Sequence, residues 1–200
     1  MVWEDGGGNP ASYPLMKIID YYMSPASPWT YLGHQRLNVL AKRHGAKVNV
    51  KPVDLGVIFP QSGGLPLAKR APQRQAYRLV ELERWKRFLG LPLVVQPKHF
   101  PVNANPAAHL ICTAPEEKRM AIAGDLLAAL WKDDRNLADP ETLRGIGAKY
   151  GVAEGDEAKY KTFTQEALER GVFGAPTYVY REEIFWGQDR LDFLDRALAK

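Results

Sequence analysis

The 200-residue sequence predicts an α/β fold interrupted by a block of helices. Three observations carry that reading. The apolar run LMKIIDYY at 15–22 gives way after Pro28 to a three-and-four periodicity, and the alternating stretch KVNVKPVDL follows, a β–α–β order. The middle of the chain is mostly helical in pattern. Near the C-terminus, two short strand-like runs, PTYVY and EIFWG, are separated only by REE and lead into a last amphipathic helix.

Taken in order, residues 1–14 (MVWEDGGGNPASYP) lack the basic start and apolar stretch of a secretory signal, and their glycines and prolines predict a flexible extension. LMKIIDYY is a candidate buried strand. Ser27 then precedes Pro28. A serine at the N-cap accepts a backbone N–H of the first turn, and a proline at the first helical position forfeits an N–H that has no helical partner anyway. Tyr31, Leu32, Leu37, Leu40 and Ala41 form the apolar stripe of that helix, which stops near RHGAK. KVNVKPVDL is the second strand. Residues 56–75, rich in proline and glycine, read as a long loop, a kind of segment that is often functional inside a domain. Tyr77–Leu89 reads as a helix ended by GLP, and 105–114 as another. Met120, Gly124, Leu127, Ala128 and Trp131 share one face of a third. Asp139 as cap and Pro140 at the first position start a fourth, and a fifth runs from about Glu154 to Arg170. The last helix begins near Gln188 and carries Leu191, Leu194 and Leu198 on one stripe. Segments 15–72 and 155–200 together make one mixed α/β unit, and 73–154 is an insertion. This order matches a thioredoxin-like domain with an all-helical insertion.

Composition narrows the function. Hydrophobic residues make up 46% of the chain and charged residues 25%, which suits a globular protein with a packed core. The net charge, 27 − 23 = +4, is mild and spread along the chain. The densest basic cluster, Lys69 to Arg87, alternates with acids and aromatics. It reads as a solvated helix face, with anion recognition open to one or two members. No basic stripe or module for nucleic acid is present. No run of 18 apolar residues is present either, so no membrane span is expected and the cytoplasm is the expected location. The lone cysteine, Cys112 in AAHLICTA, cannot form an internal disulfide and reads as a buried small hydrophobe rather than a nucleophile. The four histidines lack metal-binding spacing, so no metal is expected.

Two motifs fall where a thioredoxin-like fold keeps its chemistry. SPWT opens the first helix, where thiol–disulfide oxidoreductases carry C-x-x-C; Ser27 stands at the attacking position and Thr30 at the second. GVFGAPTYVY precedes a strand, where such folds carry a cis-proline facing that turn, and Pro176 is the candidate. Over DYYMSPASPWTYLG, YRLVELERWKRFLGLPL, HFPVNANPAAHL and GVFGAPTYVYREEIFWGQDRLDFLDRAL, the chain resembles the 2-hydroxychromene-2-carboxylate isomerases, which are relatives of the kappa-class glutathione transferases.

The resemblance implies that glutathione supplies the sulfur that the protein lacks. It implies conversion of 2-hydroxychromene-2-carboxylate, or a similar conjugated intermediate of aromatic degradation, to its trans ring-opened pyruvate isomer by reversible thiolate addition. Ser27 is the catalytic residue so implied, donating to the sulfur at a helix N-terminus; Ser24 is its rival. A free thiol near pKa 8.5 is only a few per cent thiolate at pH 7, and lowering it by about one unit raises that roughly tenfold. The backbone of Ala175, beside Pro176, would take the cysteinyl part of glutathione as an added strand. Gln188 and Asp189 would hold its γ-glutamyl end, and Arg74, three places before Tyr77, its glycyl carboxylate, with Lys69 and Arg70 in reserve. Gly64 stands in the loop where kappa-class relatives use an asparagine, which weakens that contact. A small aromatic substrate would lie over Trp29, Tyr77, Trp85, Asn103 and Trp186, although Asn103 also suits a cap. The relatives imply a homodimer. Two alternatives stay open: a kappa-like glutathione transferase acting on other electrophiles, and a non-catalytic thioredoxin-like module that binds peptides beside Pro176.

Overall fold

A computed structural model describes residues 16–200; the extension expected over 1–14 lies outside the described residues. The elements run β1 (Ile18–Met23), α1 (Pro28–Arg43), β2 (Lys47–Pro52), α2 (Leu55–Ser62), α3 (Pro72–Leu89), α4 (Asn105–Thr113), α5 (Glu116–Trp131), α6 (Pro140–Ala148), α7 (Glu157–Glu169), β3 (Thr177–Tyr180), β4 (Glu183–Trp186) and α8 (Leu191–Leu198). Single 3₁₀ turns at Leu67–Lys69 and Gln188–Arg190 precede α3 and α8.

The sheet has the order β2-β1-β3-β4. β1 runs parallel to β2, with Tyr21 opposite Val50, and antiparallel to β3, with Tyr22 opposite Thr177. β3 and β4 form a hairpin whose two turn residues, Arg181 and Glu182, both have positive φ. That is the turn geometry whose twist matches paired strands.

β1 is interior and buried on both faces, which explains its unbroken apolar run. Ile19, Tyr21 and Met23 join a large cluster with Leu32 and Leu37 of α1, Leu126 and Leu130 of α5, and Leu194 of α8. Tyr22 points the other way, to Ile58 of α2, Ala167 of α7 and Val172. The large cluster also takes in Leu82, Ile111 and Trp131, so helices α3–α6, which lie between β2 and β3 in the chain, share the core of the sheet.

The long loop expected over 56–75 is largely ordered structure. α2 forms there because Asp54 caps it, accepting the Gly56 N–H at 2.7 Å, and Gly63 closes it at φ 73. Pro60 sits inside this two-turn helix. α3 starts at Pro72, five residues before Tyr77, with the proline at its first position. Its 18 residues bury a single side chain, that of Leu82.

Candidate active site

The β1–α1 turn is built from the bottom by its cap. Ser27, with extended φ −93 and ψ 119, accepts the Thr30 N–H at Oγ over 3.2 Å, and Pro28 fills the first helical position. Facing it is the segment before β3. Register places it there: the last β1–β3 pair is Tyr22 with Thr177, so Pro176 and Ala175 run past the end of β1 and meet the turn. The Ala175–Pro176 peptide bond is cis. The Ser27 hydroxyl donates to the Ala175 carbonyl at 3.3 Å, and Pro176 O receives the Gly187 N–H at 2.9 Å. Gly174 allows the Trp186 indole to lie over this segment, because a Cβ there would fall 2.5 Å from the indole nitrogen. Gly187, at φ 107, does the same for Asp189, whose carboxylate folds back to within 2.5 Å of where a Cβ would stand.

A cleft of two lobes opens here. One lobe, of about 560 Å³, contains Ser27 and has Phe59, Phe100 and Phe173 in its walls. The other, of about 550 Å³, contains Pro176, Gln188 and Asp189, with Tyr77 and Trp85 on the far side. Both volumes suit a small-molecule site. Trp29, Arg70, Arg74, Arg78, Ala175 and Trp186 border both lobes.

The electrostatics are lopsided. The Ser27 lobe is walled by three arginines and no carboxylate. Among the described residues, none of Arg70, Arg74 and Arg78 forms an ion pair. The two acids of the other lobe each pair with another arginine, Glu81 with Arg84 at 2.6 Å and Asp189 with Arg190 of the same lobe at 3.0 Å. Burial, with repulsion from Arg70 behind it, lowers the Arg78 guanidinium to about 10.

A model of the DSBA-like thioredoxin domain matches residues 18–199. The chain belongs to that family. It is similar to a 2-hydroxychromene-2-carboxylate isomerase of Pseudomonas putida, 29% identical over 92% of this chain and 95% of the relative. It is also similar to glutathione S-transferase kappa 1 of Rattus norvegicus, 23% identical over 94% of this chain and 93% of that one. A solved structure of a 2-hydroxychromene-2-carboxylate isomerase superposes with a TM-score of 0.78 at 27% identity, covering 91% of this chain and 94% of its own. The mixed four-stranded sheet with its helices is thus a thioredoxin-like DSBA fold.

In this DSBA-like chain neither redox position holds sulfur. Thr30 is fully buried, does not line the cleft, and its hydroxyl has no hydrogen-bond partner among the described residues. Cys112 is buried in α4, and burial pushes its thiol up to about 12. Ser27, Ala175, Pro176, Arg74, Asp189, Trp29, Tyr77, Trp85 and Trp186 all come together at the cleft. Gln188 also lines it, but it is buried, and Arg36 donates to both its side-chain oxygen at 2.6 Å and its main-chain oxygen at 3.2 Å. Asn103 lines neither lobe, and its side-chain oxygen accepts the Asn105 N–H at 3.1 Å. The proline turn before it makes it a local cap, as its sequence context equally allowed. Arg78 was missed. Its only sequence signal is its four-residue spacing from Arg74, which shows a shared helix face but not whether acids face it.

Among the described residues, no helix is long and apolar enough to cross a membrane.

Proposed function

We propose that this chain is a glutathione-dependent cis–trans isomerase acting on 2-hydroxychromene-2-carboxylate or a similar conjugated product of aromatic degradation. The observation that carries the reading is Ser27. Its hydroxyl stands at a helix N-terminus, against the Ala175 carbonyl beside a cis-proline, in a cleft whose walls contain no thiol. The names of the isomerase and kappa-class relatives support it.

The residues present fit glutathione by charge. Arg74, unpaired among the described residues, suits the glycyl carboxylate. Asp189 suits the α-ammonium group, since its half-exposed pairing with Arg190 is of the kind that contributes little and exchanges easily. Ala175 offers main chain for the cysteinyl part. When bound, glutathione would supply the nucleophilic thiolate.

Ser27 then has two separable tasks. Its oxygen lone pair keeps the Thr30 N–H and holds the helix start. Its single proton rests on Ala175 O at 3.3 Å, longer than a good O–H···O bond of about 2.7–2.8 Å, so moving it to a charged acceptor costs little. A hydrogen bond to an anion is about twice as strong as a neutral one. The α1 N-terminus, with no acid in its first turn, adds its positive end. Both effects favour the ionised sulfur. A homodimer in the cytoplasm belongs to the same proposal.

Calorimetric titration with glutathione is the test. Saturable binding below millimolar concentration is expected, and none at millimolar would overturn the proposal. The absorbance change of 2-hydroxychromene-2-carboxylate then separates isomerase from the kappa-like transferase reading that the rat relative favours. Binding without that change would leave the transferase.

A further inference from the structure

Arg78 has no task in the mechanism above, yet it is the most unusual charge in the cleft. Its guanidinium carbon lies 5.0 Å from the Phe100 ring centre and 5.9 Å from that of Trp131. The two ring centres are only 5.0 Å apart, so both lie to one side of the guanidinium and offer nothing to its N–H donors. Here that is observed directly, because Nη2 is buried and has no hydrogen-bond partner among the described residues. No carboxylate of the described residues pairs with it, and Arg70 stands close enough to repel it. Arg70 is tied in place, its Nε donating to Leu65 O at 2.8 Å. The lobe these two arginines share with Ser27 and Arg74 is largely apolar, with Leu55, Leu65, Phe59, Phe100 and Phe173.

A cation stacked on rings, with its edge left bare, matches one ligand chemistry. It suits a planar group carrying a carboxylate, which a guanidinium fork binds through two parallel hydrogen bonds. We propose that Arg78, supported by Arg70, is the specificity-determining residue that selects electrophiles bearing a carboxylate, and that Arg74 alone of the three serves glutathione. The inference rests on the reading of this lobe as the place where an electrophile meets the sulfur. It deepens that reading by assigning the substrate's anionic group to a residue.

The lowered proton affinity of Arg78 agrees with a site that awaits an anion. An incoming carboxylate would raise it again.

The test uses thiol-inert probes, naphthalene-2-carboxylate and its neutral carboxamide, titrated calorimetrically into the full chain. The carboxylate is expected to bind at least about tenfold tighter than the amide. Arg78→Met, which keeps apolar packing on Phe100, should abolish the preference, and Arg78→Lys should keep part of it. Glutathione affinity should stay within about twofold in both. Equal binding of the two probes by the wild type would overturn the proposal. So would an unchanged preference in Arg78→Met, or a loss of glutathione affinity instead. Should Arg78→Met fail to fold, Arg70→Met is expected to cut the preference at least about threefold, and no cut would overturn the proposal. Neither probe needs a thiol or turnover. A wild type that ignores glutathione would therefore sink the proposed function and leave this outcome readable.

Discussion

Two clusters of charge in this molecule are built on opposite rules. On the β1–β2 side every charge has an answer. Lys51 pairs with Asp20 at 2.9 Å and Glu166 at 2.5 Å, Arg170 pairs with Asp20 at 2.5 Å and Glu182 at 3.1 Å, and Tyr22 donates to Glu166 at 2.7 Å. In the cleft, Arg70, Arg74 and Arg78 face one another and no acid of the described residues pairs with them. Removing a charge from solvent costs energy in both places, but only the first recovers it internally. The difference teaches where to look for chemistry. Charge that is neutralised at home maintains the fold, and charge left unanswered waits for something from outside.

The sharpest way to break this contrast is Lys51→Met. It would leave Asp20 and Glu166 with Arg170 as their one remaining partner cation, and should cost about 2 kcal/mol in urea unfolding while glutathione affinity stays put. A loss of binding there would blur the two clusters. Ser27→Ala comes next, since Ser27 alone serves both rules, as cap and as free donor. Turnover should fall more than about tenfold, the scale of losing a donor to a developing anion, with glutathione affinity little changed. Stability should fall by about 1 kcal/mol, the worth of the cap. Near-normal turnover would reduce Ser27 to its structural role. Arg74→Ala should weaken glutathione roughly tenfold and leave stability within about 0.5 kcal/mol.

Acid sharpens the contrast further. Burial pushes the Asp20 carboxyl up, yet Asn49, Lys51 and Arg170 together outweigh it and hold it below its ordinary value. A carboxyl with a lowered folded pKa contributes fully above its unfolded value near 4, and that contribution disappears as pH falls through the folded value. Asp20→Asn should therefore flatten the loss of stability below about pH 4, followed by circular dichroism. On stability, Arg78→Met should also do little. Relief of an unanswered buried charge offsets the lost stacking on Phe100 and Trp131, so stability should move by less than about 1 kcal/mol.

Sequence pattern reached what is decided locally. The Ser27–Pro28 start, the Asp139–Pro140 start and the β3–β4 hairpin each depend on a few neighbouring residues, and each stands where it was expected. So does the meeting of Ser27 with Ala175, although that contact spans 148 positions and entered through family resemblance, not periodicity. Local signals also misled. Pro60 and the paired glycines at 63–64 argued for a loop, while Asp54, a single capping residue, was enough to seat α2 on the core through Ile58. Asn103 looked equally fit for a ligand or a cap, and only the position of the Asn105 N–H decided. Arg78 escaped because being unpaired is a property of tertiary neighbours. Seven residues on α3 are basic or acidic in a regular pattern, and nothing in that pattern tells which cation is stranded.

The thin anchoring of α3 has a kinetic consequence. Eighteen residues with one fully buried side chain, Leu82, and with Trp85 and Leu89 only partly buried on the core, form a segment whose backbone amides should exchange with solvent by partial opening, well before the sheet unfolds. Its like-charged face favours that opening. An anion in the cleft would remove the repulsion, so slower deuterium uptake confined to 72–89 would be the earliest sign that the cleft is filled. In that sense the wall of the site is completed by its guest.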